Sequence, residues 1–243
     1  MKKINLFTEA PVRLVINSQD YATFMCTPKE LEDMALGFIY AKEIIKNKSE
    51  ILGISPCENN KRVLVVLDKE IPGEVFDINT VVLSGCGNGL VFQEEKIKFE
   101  RINFNYEVSL KHIKENFITM LEKADMHNNI GGSHCAGLKL EKYPLIIRED
   151  IGRHNAVDKV IGAGLNISEE ESLKKSMILI TGRVSSDMIL KAAGAKIPLV
   201  VTLRIPSDLA LSIAERFGVV IIGRIMGSEP IIYNFSEGIQ ITK

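Results

Sequence analysis

The sequence predicts an α/β protein: a layered sheet flanked by helices, preceded by a smaller amino-terminal α+β portion. Three observations carry that prediction. From Tyr143 onward, short apolar runs alternate with segments of helical spacing. Before Tyr143 the elements read instead as a hairpin, isolated strands and two amphipathic helices. Hydrophobic residues make up 46% of the 243 positions, enough to bury a substantial core in one large domain or two small ones. The pattern divides residues 1–107, the α+β portion, from residues 108–243, the α/β portion.

In chain order, Pro11 to Ile16 and Tyr21 to Cys26 are apolar-rich and joined by Asn17-Ser18-Gln19-Asp20, a hairpin signal. Thr27, Pro28 and Glu30 form a capping-box start for a helix running to about Ile45, with Leu31, Met34, Ala35, Phe38 and Ile39 on its apolar face. Strand-like runs follow at Arg62 to Leu67 and Thr80 to Leu83, then a helix from about Ser109 to Met126 with Leu110, Ile113, Phe117, Met120 and Leu121 at helical spacing. The regular region then reads strand Tyr143 to Ile147, helix Ala156 to Ile161, strand Met177 to Ile180, helix Asp187 to Ala193, strand Leu199 to Leu203, helix Asp208 to Phe217 and strand Val219 to Ile222. Short connections of this kind imply a mainly parallel sheet, and right-handed crossovers place its strand-to-helix turns along one edge.

Acidic and basic residues nearly cancel, 31 against 30, which removes any global pull toward nucleic acid or a membrane surface. Apolar runs fall short of the roughly 20 residues that span a bilayer, and the first residues carry no signal-peptide core, so a cytoplasmic location is expected. The four cysteines, Cys26, Cys57, Cys86 and Cys135, never approach CxxC spacing, and the four histidines are scattered, so no metal site is expected. In a reducing compartment all four cysteines are expected to be free thiols. Cys26 reads as a buried small hydrophobe, and Cys57 sits in a turn.

Chemistry concentrates at the turns. The run Arg148-Glu149-Asp150-Ile151-Gly152-Arg153-His154-Asn155-Ala156-Val157-Asp158-Lys159 crowds charge where strand gives way to helix, the place where open α/β sheets bind ligands. Free N–H groups at the helix start, with Gly152 for close approach and the guanidinium fork of Arg153, suit a phosphate; the bland alternative is a salt-bridged surface cap. Two further turns, Thr181-Gly182-Arg183-Val184-Ser185-Ser186 and Arg204-Ile205-Pro206-Ser207, add Arg183, Ser185 and Arg204 to a basic pocket. His134 and His154 stand in polar, glycine-containing surroundings; each either orients a reactive group, binds phosphate or is a satisfied structural histidine. Cys86 lies among three glycines in Leu83-Ser84-Gly85-Cys86-Gly87-Asn88-Gly89-Leu90, a context that favours exposure. The Gly85-x-Gly87-x-Gly89 spacing is a weak nucleotide fingerprint, because no strand-helix-strand crossover follows it.

The Arg148–Lys159 run is similar to a signature of the formate dehydrogenase accessory sulfurtransferases, the FdhD family. Thr181-Gly182-Arg183-Val184-Ser185 with Met188, Lys191-Ala192-Ala193 and Ile197-Pro198 resembles that family's next block. Thr27-Pro28, Glu32-Asp33 and Gly37-Phe38 resemble its amino-terminal block. The family's loop typically reads Ser-x-Cys-Gly-x-Cys-Gly; Cys86 matches the first, persulfide-bearing cysteine, and Gly89 replaces the second. The resemblance implies a cytidine-deaminase-like fold for residues 108–243, a layered mixed sheet flanked by helices without that fold's zinc motif, and a homodimer. It also implies a sulfurtransferase that receives persulfide sulfur from a cysteine desulfurase. Delivery would be to a molybdenum or tungsten bis-molybdopterin guanine dinucleotide cofactor destined for apo formate dehydrogenase.

On this reading Cys86 carries sulfur, and Gly152, Arg153, His154, Arg183 and Ser185 hold the cofactor. Arg224, Ile225, Met226, Gly227, Ser228 and Glu229 correspond to a carboxy-terminal cofactor segment whose family pattern is Phe-x-Arg-x-x-Arg; Met226 and Glu229 stand at its two arginine positions. Cys135, in Gly131-Gly132-Ser133-His134-Cys135, is a candidate compensating thiol. Two other readings stay open: a cofactor-binding chaperone that moves no sulfur, and a generic nucleotide-dependent enzyme.

Overall fold

The computed structural model describes residues 6–57, 59, 61–71, 80–82 and 99–242. The chain opens with the expected hairpin, β1 (Ala10–Ile16) against β2 (Gln19–Cys26), antiparallel. Its two-residue turn puts Asn17 and Ser18 at φ 46° and 70°, left-handed geometry that suits a twisted hairpin. The Asn17 amide steadies the turn by accepting from Leu67 N–H and donating to the Lys69 carbonyl. β3 (Ile51–Pro56), β4 (Arg62–Leu67) and β5 (Thr80–Val82) complete a five-stranded sheet of order β3-β4-β1-β2-β5. β4 alternates outward and inward, burying Val63, Val65 and Leu67.

The first helix, α1 (Leu31–Ala41), starts later and ends earlier than its sequence suggests. The capping box at Thr27 does not form. Thr27 N–H donates instead to the Asp150 carboxylate at 3.1 Å, and its hydroxyl accepts from Ile151 N–H at 3.2 Å. A contact 123 residues away has outcompeted the local cap. The expected second helix is also divided, into α2 (Leu110–Glu122) and α3 (Asp125–Asn129). The Glu149 carboxylate accepts from Met126 and His127 N–H at 2.8 and 2.7 Å, satisfying the free amides of α3 from across the fold.

The larger sheet has six strands in the order β12-β11-β10-β9-β7-β8. They are β7 (His134–Leu140), β8 (Ile146–Asp150), β9 (Ser176–Ile180), β10 (Leu199–Thr202), β11 (Val220–Gly223) and β12 (Ile231–Ile232). The expectation of a mainly parallel sheet is corrected. β9, β10 and β11 run parallel, but β7 is antiparallel to both β9 and β8, and β12 is antiparallel to β11. The helices α4 (Arg153–Ile167), α5 (Ser186–Gly194) and α6 (Asp208–Phe217) connect the strands as expected. A small parallel pair, β6 (Tyr106–Ser109) with β13 (Ile239–Thr242), lies apart from both sheets.

Alternate residues of β9 enter different cores, Ile178 and Ile180 facing the α1, α4 and α5 side and Met177 and Leu179 facing α2. The first core continues into β1, β2 and β4, so one apolar cluster runs across the boundary between residues 107 and 108. α1 and α4 touch through backbone: a Cβ on Gly37 would strike the Asp158 carbonyl, and one on Gly162 the Asp33 carbonyl. Among the described residues, no helix is long and apolar enough to cross a membrane.

Candidate functional site

The topology gathers the polar turns. β8 and β9 point the same way because each is antiparallel to β7, so the turns after β8, β9, β10 and β11 leave the sheet at one edge. The start of β7 lies at that edge too, with His134 in register with Asp150. Gly152, Arg153 and His154 open α4 there, Ser185 precedes α5, and Arg204 and Arg224 stand after β10 and β11.

These turns are stitched together. Thr202 Oγ1 donates to the Gly182 carbonyl at 2.6 Å and accepts from Arg204 N–H at 3.0 Å. Ser207 N–H donates to the Val184 carbonyl at 3.0 Å, and Arg224 N–H to the Arg204 carbonyl at 3.1 Å. The result is a continuous shelf that carries the exposed side chains of Arg183, Arg204 and Arg224. Arg224 adopts φ 50°, and Gly227 N–H closes a turn onto its carbonyl at 2.7 Å. Of the carboxy-terminal segment, Ile225 is buried in the core, whereas Met226, Gly227, Ser228 and Glu229 are exposed.

Much of the charged run beginning at Arg148 turns out to build the protein. Arg148 Nε and Nη2 both donate to Asp33 Oδ2, at 3.0 and 2.9 Å. Asp150, fully buried, accepts from Thr27 and Gly152 N–H and from the Asn155 amide, and pairs with the equally buried Lys159 at 2.8 Å. Lys159 also donates to the carbonyls of Thr27 and Glu149. Asp158 takes both its oxygens to Lys191. These side chains are engaged inside the fold, which leaves Gly152, Arg153 and His154 of the run at the polar edge, the Gly152 N–H already donated to Asp150. The strand also extends further than its apolar residues suggest, so Arg148, Glu149 and Asp150 belong to β8.

His134, Arg153 and Gly182 meet at the centre of the edge. A Cβ on Gly182 would lie 3.2 Å from His134 Nδ1 and 3.3 Å from Arg153 Cδ, so the residue's smallness makes room for both. Burial lowers the His134 pKa, and Arg153 and His127 push it the same way. His154 is buried, with Nε2 3.3 Å from Ser185 Oγ and 4.0 Å from Asp187 Oδ2. Burial first, then Lys191, Arg153 and His134, depress its pKa to about 3, so at neutral pH it acts as an uncharged hydrogen-bonding group. In that state His154 can still donate to a phosphate through a ring N–H but adds no positive charge.

Among the thiols, Cys26 and Cys135 are buried, and desolvation pushes each up to about 12. Cys135 faces the α2 core rather than the polar edge, which argues against its use as a compensating thiol. At Cys57 desolvation opposes ionisation, but N–H groups of Lys61, Asn59 and Arg62 outweigh it and lower the pKa. Cys86 lies outside the described residues. Among the described residues, no group of three or more His, Cys, Asp or Glu is placed to hold a metal.

Sequence inspection singled out the arginines and His154 but gave Asp158 and Lys191 no role. The signal available was spacing: His154/Asp158 and Asp187/Lys191 both sit four residues apart.

Fold and edge together define an α/β protein with an anion-suited shelf at the carboxyl ends of parallel strands. The FdhD/NarQ family model matches residues 7–240, and the chain belongs to that family. Relatives described as sulfur carrier protein FdhD include those of Bacillus pumilus, 29% identical with 95% of this chain and 88% of that protein covered, and Bacillus subtilis, 29% identical with 97% and 90% covered. That of Halalkalibacterium halodurans is 30% identical, with 97% and 88% covered. A crystal structure of a candidate formate dehydrogenase accessory protein from Desulfotalea psychrophila superposes with a TM-score of 0.73 at 27% identity, covering 96% of this chain and 89% of that one.

Proposed function

We propose that this protein is a sulfur carrier in formate dehydrogenase maturation. Cys86 accepts the outer sulfur of a cysteine desulfurase persulfide, the donor's thiolate leaving. The Cys86 S–S bond then breaks with the Cys86 thiolate leaving, and the sulfur passes to a molybdenum or tungsten bis-molybdopterin guanine dinucleotide, the substrate, whose metal in its reduced state would supply the two electrons that turn sulfane sulfur into a sulfido ligand. The observation that carries this reading is the nearly full-length likeness to sulfur carriers, combined with an edge where Arg153, Arg183, Arg204 and Arg224 suit the phosphates of a dinucleotide. Gly152 and the start of α4, His154, Ser185 and the exposed residues Met226 to Glu229 complete the proposed contact surface, with Ile225 anchoring that segment in the core. We read the six-stranded sheet with its helices as cytidine-deaminase-like, and the working form as a cytoplasmic homodimer.

Connectivity supports Cys86 as the transferring thiol. β5 runs parallel to β2 with Val82 beside Phe24, heading toward Thr27, which is hydrogen-bonded to Asp150 next to the shelf. Cys86 follows Val82 by four positions in the sequence, at most about 14 Å of extended chain. The buried Cys26 and Cys135 are poor nucleophiles by comparison.

The test is to incubate the protein with a cysteine desulfurase and cysteine, quench by alkylation and map added sulfur by peptide mass spectrometry. Wild type, Cys86→Ala, Cys57→Ala and Cys135→Ala are compared. Sulfur on Cys86, lost only in Cys86→Ala, is the expected result. Sulfur on Cys57 or Cys135 relocates the thiol, and none on any cysteine leaves a cofactor-binding chaperone.

A further inference from the structure

α4 and α5 meet along a seam of four polar side chains. His154 and Asp158 lie four residues apart on α4, and Asp187 and Lys191 four apart on α5, a spacing that stacks each pair on one helix face. They face each other as two rungs. In the inner rung Lys191 Nζ lies 2.6 and 2.8 Å from the two carboxylate oxygens of Asp158, whose side chain is fully buried. In the outer rung His154 Nε2 is 4.0 Å from Asp187 Oδ2. α1 closes the inner end, with the Phe38 ring centroid 5.0 Å from Lys191 Nζ and 5.3 Å from Lys42 Nζ.

Apolar residues would join two helices without the cost of desolvating an ion pair. What the inner rung supplies is a defined geometry. With both carboxylate oxygens engaged, α5 is held in one register against α4, and this fixes the offset between the Gly152–His154 and Ser185–Asp187 helix starts. We infer that Lys191 is a positioning residue for those two helix starts: clamped by Asp158, it sets the first turn of α5 against that of α4 and places a fixed positive charge near His154. The inference rests on reading those helix starts as the anion site.

The groups around His154 are Asp187 and Lys191 of α5, Arg153 and Asp158 of α4, and His134 of β7, with Lys42 of α1 behind Lys191. After burial, Lys191 is the strongest influence keeping the imidazole neutral. The ring therefore meets an anionic ligand as a neutral hydrogen-bonding partner, a state that burial sets first and the Lys191 charge reinforces.

Two readouts separate positioning from bulk packing: the affinity for guanosine diphosphate at pH 7 by calorimetry, and the acid onset of His154 protonation followed by ring-nitrogen chemical shift. Lys191→Met should weaken binding about tenfold and raise the onset by about one pH unit, the scale of one nearby charge in a buried site. Lys191→Arg should restore both. Asp158→Asn, which loosens the clamp but keeps the ammonium, should weaken binding without raising the onset, and it keeps the inference testable if Lys191→Met does not fold. An unmoved onset in folded Lys191→Met, or wild-type affinity in Asp158→Asn, overturns the inference. Failure of the wild-type protein to bind guanosine diphosphate, with phosphate and pyrophosphate as further probes, overturns instead the anion-site reading; the His154 onset still reports the placement of the charge.

Discussion

Protonating His154 in the folded protein would put another positive charge among Lys191, Arg153 and His134 where little water reaches. The consequence for stability has a definite sign. The folded pKa, about 3, lies below the ordinary 6.5, so between those values the unfolded chain binds a proton that the native protein does not. This contribution is fully present above pH 6.5 and is lost as pH falls toward 3. Between pH 7.5 and pH 5 the loss from this residue should be about 2 kcal/mol. His154→Gln should show a correspondingly shallower decline in urea-unfolding free energy over that range, and an identical decline would show that the burial cost is not borne by His154. At this scale the sequence pointed to His154 through its polar neighbours but left its charge open. Charge state depends on Lys191 and His134, which only the folded chain brings close.

The element scale shows why some pieces were legible and others were not. β9, β10 and the helices after them announce themselves by compact apolar runs and helical spacing. β7 does not, because His134-Cys135-Ala136-Gly137-Leu138-Lys139-Leu140 is largely buried on both faces and includes a glycine, so no alternation marks it. Missing β7 made the sheet look parallel. The capping box at Thr27 failed for a similar reason: its N–H is claimed by Asp150 at the end of β8 and its hydroxyl by Ile151 in the turn that follows, far along the chain. The close approach of α1 and α4 gives a direct test. Gly162→Ala would drive a methyl group into the Asp33 carbonyl, backbone that cannot rotate away. The expected cost is about 3 kcal/mol by chemical denaturation, while Gly53→Ala, where an added Cβ meets open space, serves as the exposed-site control.

For the whole molecule, the buried Asp150–Lys159 pair ties the end of β2, the end of β8 and the start of α4 to one point. Lys159→Met leaves the Asp150 carboxylate buried without its cation and should cost about 3–5 kcal/mol. Asp150→Asn combined with Lys159→Met should recover part of that loss, because the stranded charge is gone. Purely additive losses in denaturant unfolding would contradict a coupled pair. The sequence made the density of charge here visible, but its use was hidden, since the partners of Arg148, Glu149 and Asp150 lie in α1, α3 and α4 rather than beside them in the chain. The stitched shelf has a different character. It is held by main-chain groups, the Thr202 hydroxyl and the small Gly182, none of which requires an arginine at a given turn. Positive charge can therefore migrate from one turn to the next while the foundation stays intact, as a keyboard keeps its frame when the keys are relabelled. Met226 and Glu229 stand at the two positions where the resemblance leads one to expect arginine, and the frame presents Arg183, Arg204 and Arg224 from neighbouring turns. If the shelf is the proposed anion site, its recognition can be rewritten without refolding the protein.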